Sequence, residues 1–208
     1  MENKNYQLIL EDTLKEISKL KYNPKLLLHV CCGPCSSYVL EYLSNYFEIT
    51  ILFYNPNIYP KEEYIRRKEE MQEFVSKAYP NTKYVIMDYN EKEFYDAVRG
   101  YEHLGERSER CFHCYRLRLK KTVEYAKGNG YDYFTTSLSI SPYKVRSKLN
   151  EIGSVLEKEY GVNYLYSDFK KRNGYKRSIE ISREYNMYRQ EYCGCDYYKV
   201  EREEYENR

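Results

Sequence analysis

Seven cysteines in three tight groups are the residues of this sequence best placed to do chemistry. Cys31, Cys32 and Cys35 lie in HVCCGPCS, Cys111 and Cys114 in ERCFHC, and Cys193 and Cys195 in EYCGCD. Thiols this close in sequence are either oxidised pairs or ligands of a soft metal, because thiolate suits zinc and iron–sulfur centres better than harder cations. Cys31 and Cys32 are adjacent, in a loop with Gly33 and Pro34 where the backbone turns rather than packs; either alone would read as a buried structural thiol. Cys111 and Cys114 form a CxxC, which by itself fits zinc, an iron–sulfur cluster or thioredoxin-type redox chemistry. A thioredoxin-type site needs its CxxC directly after the first strand, and here the CCxxC loop takes that place. Two pairs at one edge make enough thiolates for a structural zinc or a [4Fe–4S] cluster. Zinc modules usually pair CxxC with CxxC on small hairpins, not with a CC dipeptide at a strand end. Arg110 and Arg116 are candidates to offset a cluster's negative charge.

Cys193 and Cys195 form a CGC. Its disulfide ring is small and strained, and strained disulfides are the oxidising, labile ones. Such a pair can carry two electrons, or hold a metal together with Cys35 or Asp196, or stand as two unrelated thiols in a turn.

The elements that must position these groups alternate. Apolar spacing predicts a helix over 6–20, ended by Pro24, then a strand buried on both faces over 25–30. The CCGPCS loop follows, with Ser36 as cap of a helix through Ser44. Further strands are expected over 47–54, 83–87, 131–136 and 162–166. Helices are expected from Pro60 to Lys77, over 91–99, 110–127, 142–160 and 175–188, with CGC as a sharp turn before a helical tail. Cys111 and Cys114 then share one helix face at i and i+3. Strand alternating with helix implies a single α/β domain over 1–208, a Rossmann-like five-stranded parallel sheet flanked by helices, whose C-terminal segment 174–208 carries the CGC motif. Sites in such folds form beyond the carboxyl ends of the strands, where the strand order switches. The loops at 31–35 and 137–143 open onto that edge.

Composition narrows the class. A chain of 208 residues can bury a core without disulfide staples, and an odd number of cysteines with 32% charged residues fits a reduced, cytoplasmic protein. Residues 1–20 mix Glu, Asn, Lys and Asp among apolar residues, unlike a signal peptide, and no apolar run approaches the roughly 18 residues of a membrane span. The formal net charge is only +2, but basic residues gather at 116–121, at Lys144, Arg146 and Lys148, and at Lys170, Lys171, Arg172, Lys176 and Arg177. Such patches can hold a phosphate backbone, or be ordinary solvated faces. Acid collects at the end, in Glu201, Glu203, Glu204 and Glu206. The 28 tyrosines, with no tryptophan, carry no function by themselves.

Taken together, LLLHVCCGPCS, FYNPNIYPKEEYIRR, ERCFHCYRLRL, FTTSLSISPYK and DFKKRNGYKRSIEISREYNMYRQEYCGC resemble, in order, the epoxyqueuosine reductases of the cobalamin-independent iron–sulfur family. The segments span 26–195. The resemblance implies reduction of epoxyqueuosine, a hypermodified guanine analogue at the tRNA wobble position, to queuosine, the last biosynthetic step. It implies Cys31, Cys32, Cys111 and Cys114 as ligands of a [4Fe–4S] cluster and Cys193 and Cys195 as the redox-active pair. For some members it also implies an adjacent mononuclear iron, held by the C-terminal cysteines and by the residue that is Cys35 here. The fold is expected to resemble that of PP-loop nucleotide hydrolases, with the cysteine loop in place of the phosphate-binding glycines. The SGGxDS signature is missing, so no ATP chemistry is expected.

The implied partners are tRNAs with GUN anticodons (Asp, Asn, His, Tyr) carrying epoxyqueuosine, and an electron donor that the sequence does not name. Arg146, Lys148, Lys170, Lys171 and Arg172 are the expected phosphate contacts, and Tyr143 and His29 the candidate acids. Zinc-stabilised RNA binding and thiol oxidoreduction without epoxide reduction are the competing readings.

Overall fold

Leu26, Leu27, Leu28 and Val30 follow one another with little polar interruption, so a strand made of them must be covered on both sides. The computed structural model, which describes residues 4–190 and 192–198, bears this out. In strand β1 (Lys25–Val30), Leu26, Leu28 and Val30 face one core and Leu27 the other. Strands β2 (Glu48–Phe53), β3 (Lys83–Ile86), β4 (Tyr133–Thr136) and β5 (Asn163–Tyr164) complete a parallel sheet in the order β3-β2-β1-β4-β5. Helices α1 (Tyr6–Ile17), α2 (Gly33–Leu43), α3 (Lys61–Ala78) and α7 (Gly174–Glu184) cover one face. Helices α5 (Glu109–Gly128) and α6 (Arg146–Tyr160) cover the other, and α4 (Glu91–Val98) packs outside α5. The chain leaves β1 toward β2 on one side and later returns to β4 on the other. The switch in strand order therefore falls at the carboxyl end of β1, where the first cysteine group sits.

The boundaries differ from the sequence expectations in instructive places. Ser36 is not the cap of α2: Cys32 is the extended N-cap, with a proline in the first turn, and Ser36 Oγ donates to the Gly33 carbonyl at 2.8 Å. The earlier start brings Cys35 into the first helical turn. Helix α6 begins at Arg146, not Pro142, because residues 141–144 form a turn closed by Lys144 N–H on the Ser141 carbonyl at 3.2 Å. Ser137–Ile140 is a single 3-10 turn, β5 is shorter than 162–166, and α7 ends at Glu184 instead of Tyr188. Gly153 lets α6 lie on β5, since a Cβ there would come 2.3 Å from the Tyr164 ring. Of the expected helical tail only 196–198, which are helical, are described; the rest, with the acidic run at 201–206, lies outside the described residues. Among those residues, no helix is long and apolar enough to cross a membrane.

Candidate metal and redox centre

Three elements carry the thiols to one rim. Cys31 directly follows β1, Cys32 caps α2 and Cys35 lies in its first turn, so the three sulfur atoms fall within 4.8 Å of one another. The Cys31 and Cys32 sulfurs are 3.7 Å apart. Cys111 and Cys114 lie in the first turns of α5, both buried, and Cys111 packs in the same core as Cys31 and Cys32. Cys114 packs with Cys195, with Cys193 against them. The third group is brought back by Gly194, whose φ of +96° a side-chain-bearing residue rarely adopts. Its carbonyl accepts from Tyr59 N–H at 2.7 Å, which ties the CGC turn to the segment after β2. All seven thiols are free. The tightest group is Cys31, Cys32 and Cys35, so Cys35 stands with the vicinal pair.

Buried cations set the charge here. Arg67 is 2% exposed and its Nε donates to Glu63 Oε1 at 2.6 Å, while Nη1 donates to the Cys193 carbonyl at 3.3 Å. Arg118 is equally buried, one turn beyond Cys114, whose carbonyl accepts from its Nε at 3.3 Å. Lys144 Nζ lies 2.8 Å from Cys193 Sγ. These three, and not Arg116, are the counter-charges: Arg116 pairs with Glu159 at 3.5 Å on an exposed face. Arg110 donates to the Glu102 carbonyl at 3.1 Å and its guanidinium lies over the Tyr197 ring.

The thiols divide accordingly. Hydrogen bonds from Cys32 and Cys35, then the Arg118 charge, hold Cys31 well below the usual thiol range. Burial pushes Cys32 up to about 12, and Cys35 rises because it gives its hydrogen bond to Cys31. Cys193 is held low by a hydrogen bond from Cys195 and by Lys144, with Cys195 raised in turn. Burial raises Cys111 and Cys114. Cys31 and Cys193 are thus the thiols whose ionisation is favoured, each beside a thiol whose ionisation is disfavoured. A soft metal needs thiolates, and buried guanidinium groups nearby compensate the charge that its binding would leave.

Cys31, Cys35, Arg67, Arg118, Lys144 and Cys193 line one pocket of about 480 Å³ at this rim. It is large enough for a nucleoside, and the 3-10 turn after β4 and the start of α7 form its other walls.

The model of the family "QueH: Epoxyqueuosine reductase QueH" matches residues 26–201. An epoxyqueuosine reductase QueH of Streptococcus pyogenes serotype M1 is 44% identical over 93% of this chain and 77% of its own length. That of Staphylococcus aureus is 42% identical over 92% and 82%, and that of Thermotoga maritima 35% identical over 86% and 92%. The chain belongs to the QueH family. Among solved structures, a predicted subunit of tRNA methyltransferase from Methanocaldococcus jannaschii aligns over 76% of this chain and 74% of its own at 15% identity, with a TM-score of 0.49.

In this QueH chain the other expected site residues fare unevenly. His29 is fully buried on β1, with Nε2 bonded to the Tyr54 carbonyl at 3.0 Å and Nδ1 to Thr136 Oγ1 at 2.9 Å. Burial pushes it down to about 4. It is a satisfied core residue and does not line the pocket. Tyr143 lines the pocket and is 48% exposed. Asp196 accepts from the Tyr95 hydroxyl at 2.7 Å, a partner other than a thiol. The basic residues are mostly compensated: Arg146 and Lys170 both pair with the buried Asp168, at 3.0 and 3.1 Å, Lys148 with Glu151, and Arg172 with Glu11. Lys171 and Arg172 border a separate small pocket, and none of the five lines the main one. Lys144, Arg67 and Arg118 went unrecognised as site residues. The signals for them were Arg118 four residues after Cys114, the Glu63/Arg67 pair at i, i+4, and Lys144 inside the SISPYK loop.

Proposed function

We propose that this chain, acting as one domain over 1–208, reduces epoxyqueuosine at the wobble position of tRNA to queuosine, the last step of queuosine biosynthesis. The observation that carries the reading is a nucleoside-sized pocket lined by Cys31, Cys35 and Cys193 together with Arg67, Arg118 and Lys144, with Cys111 packed in the core of Cys31 and Cys114 in that of Cys195. Cys31, Cys32, Cys111 and Cys114 would hold a [4Fe–4S] cluster, whose chemistry is to pass electrons singly beside a second redox group. Cys35, Cys193 and Cys195 have the soft donors for an adjacent iron, which would polarise the epoxide oxygen as a Lewis acid.

The reaction removes oxygen from carbon as water: two electrons and two protons enter, both C–O bonds break and an alkene remains. The chain's own share is to hold the base, shield it from solvent and keep a reducing pair beside it. As a thiolate and a thiol, Cys193 and Cys195 carry the needed two electrons and one of the two protons, the second proton coming from water, and close to a disulfide when these are spent. An external electron donor then reopens the pair. Lys144 and Arg118 place fixed positive charge where the departing oxygen becomes negative. The tRNA substrates would be those with GUN anticodons (Asp, Asn, His, Tyr), whose unstacked loop bases can enter a pocket.

The test is an anaerobic assay of iron-loaded protein with epoxyqueuosine-containing tRNA and a strong chemical reductant, reading the nucleoside by mass. Conversion to queuosine is expected. Full iron loading with no conversion overturns the reading.

A further inference from the structure

Four side chains that line the pocket each carry a buried polar atom with no hydrogen-bond partner: Asn57 Oδ1, Gln190 Oε1, Arg67 Nη2 and Arg118 Nη2. Other such atoms, on Asn55, Tyr115, Ser137 and Tyr164, belong to side chains that do not line it. Buried polar groups in native proteins are paired, and leaving one unpaired is costly, so each of the four asks for a partner.

They divide by chemistry. The two guanidinium nitrogens are donors, and their charges act on Cys31, Cys32, Cys114 and Cys193. Thiolate can accept from them. The two amide oxygens are acceptors, and no thiolate or sulfide can satisfy an acceptor. Their partner must bring N–H or O–H groups into the pocket. Asn57 is only 2% exposed and lies two residues before the contact of Tyr59 with Gly194, so it is clamped beside the CGC turn. Gln190 follows α7, next to Arg189, whose guanidinium lies 5.2 Å from the Tyr175 ring. Tyr175 and the exposed Tyr143 both line the pocket and can offer ring faces.

We propose that Asn57 and Gln190 read the base: their amide oxygens accept hydrogen bonds from the N–H edge of a guanine-type base stacked on Tyr143 and Tyr175. This rests on the tRNA reductase reading and names what the pocket recognises in that substrate. A guanine-type edge presents a ring N–H and an amino group side by side, one donor for each acceptor. Adenine presents a ring acceptor at that position and leaves an amide oxygen unpaired. A site built to hydrogen-bond a group rejects the analogue lacking it far better than an apolar pocket would.

The test is fluorescence-anisotropy binding of iron-loaded protein, at fixed salt, to anticodon stem–loops with guanine, hypoxanthine or adenine at the wobble position. Wild type is expected to bind the guanine loop about tenfold tighter than the hypoxanthine loop, which lacks the amino group, and to bind adenine most weakly. Asn57→Leu and Gln190→Leu should each shrink the guanine preference, while Gln190→Glu, which keeps an acceptor, retains it. If the buried Asn57→Leu does not fold, the half-buried Gln190 carries the test alone. Equal binding of the three loops by wild type, or an undiminished guanine preference in the leucine variants that fold, overturns the proposal. Guanine preference without epoxide reduction would sink the reductase reading and leave this one standing; reduction without preference would do the reverse.

Discussion

Lys144 Nζ lies 2.8 Å from Cys193 Sγ, with its side chain only 7% exposed. A buried ammonium is costly unless it has an anion beside it, and Glu106 stands further off at 3.8 Å. The contact therefore identifies Cys193 as the thiolate of the CGC pair, consistent with its low-lying titration beside Cys195 and Lys144. In reduced, metal-free protein, Cys193 should be alkylated by iodoacetamide at neutral pH well before Cys195. Lys144→Met should move the midpoint of the Cys193 alkylation–pH profile up by about one pH unit, so that alkylation at a pH below the wild-type midpoint slows by about tenfold. An unmoved midpoint would mean that the ammonium does not set this thiol.

Gly194 is as constrained as the cysteines around it. A Cβ there would come 2.8 Å from an Arg67 terminal nitrogen, at a φ of +96°. Arg67 cannot retreat freely, because Glu63 holds it from below and the Cys193 carbonyl from above. Gly194→Ala should cost about 1–3 kcal/mol in strain and displace the CGC turn. Turnover should then fall at least tenfold while the cluster spectrum stays that of wild type. Glu63→Ala leaves a buried guanidinium without its carboxylate and should cost about 3–5 kcal/mol in urea unfolding. Normal turnover in Gly194→Ala would show that the turn tolerates displacement.

Where the sequence was legible, one residue's neighbours along the chain settled its place. The apolar run of β1 ends at Val30, so Cys31 and Cys32 had to fall at a strand's carboxyl end, and i, i+3 spacing put Cys111 and Cys114 on one face of α5. Lys144 was not legible. A lysine in a polar turn reads as solvated, and what buries it is the return of Cys193, 49 residues later. The pairing of Arg146 and Lys170 was hidden for the opposite reason: their partner Asp168 sits two residues from Lys170 in DFKK, where it looks like one more surface charge. Ser36 has the residue type of a cap, but Gly33 and Pro34 start the helix ahead of it.

Asp168 gives those two cations a structural task. Its side chain is 3% exposed and both Arg146 and Lys170 reach it, the latter also donating to the Ser139 carbonyl at 2.9 Å. Arg146→Ala or Lys170→Ala should therefore lower unfolding stability by about 1–3 kcal/mol by weakening the pairing of a buried carboxylate. Lys171→Ala should leave stability unchanged and only soften the salt dependence of tRNA binding. Urea melts beside binding titrations separate the two classes. Equal stability across all three variants would show that Arg146 and Lys170 have no structural task at Asp168.

Glu11, which does not line the main pocket, offers a pH test. The Arg172 hydrogen bond, aided by Gln7, lowers its carboxyl to about 2 from an ordinary value of 4.5. A carboxyl depressed on folding stabilises the protein above its unfolded pKa, and that share is lost as pH falls through the folded one. The contribution should be whole above about pH 4.5 and fade toward pH 2, and as a half-exposed pair it should stay below about 1 kcal/mol. Glu11→Gln should remove that segment of the acid limb, so the stability difference from wild type narrows as pH drops from 4.5 to 2. A difference constant across that range would show that Glu11 and Arg172 are not paired in solution.

Metal content decides between the sulfur centres that the thiols could build. Protein made and purified without oxygen should be brown and hold about four iron and four sulfide per chain for one cluster. Replacing Cys31, Cys32, Cys111 or Cys114 with Ser should strip the colour, because each removes a soft donor that no neighbouring oxygen replaces. Cys193→Ser and Cys195→Ser should keep the cluster spectrum and lose turnover. Cys35→Ser is the informative variant, since Cys35 lies within 4.8 Å of both Cys31 and Cys32. If it holds a separate iron, this change should lower the iron count by about one without touching the cluster spectrum. If the colour goes instead, Cys35 is a cluster ligand and the vicinal pair does not act alone. Colourless wild-type protein with a single zinc would end the cluster proposal.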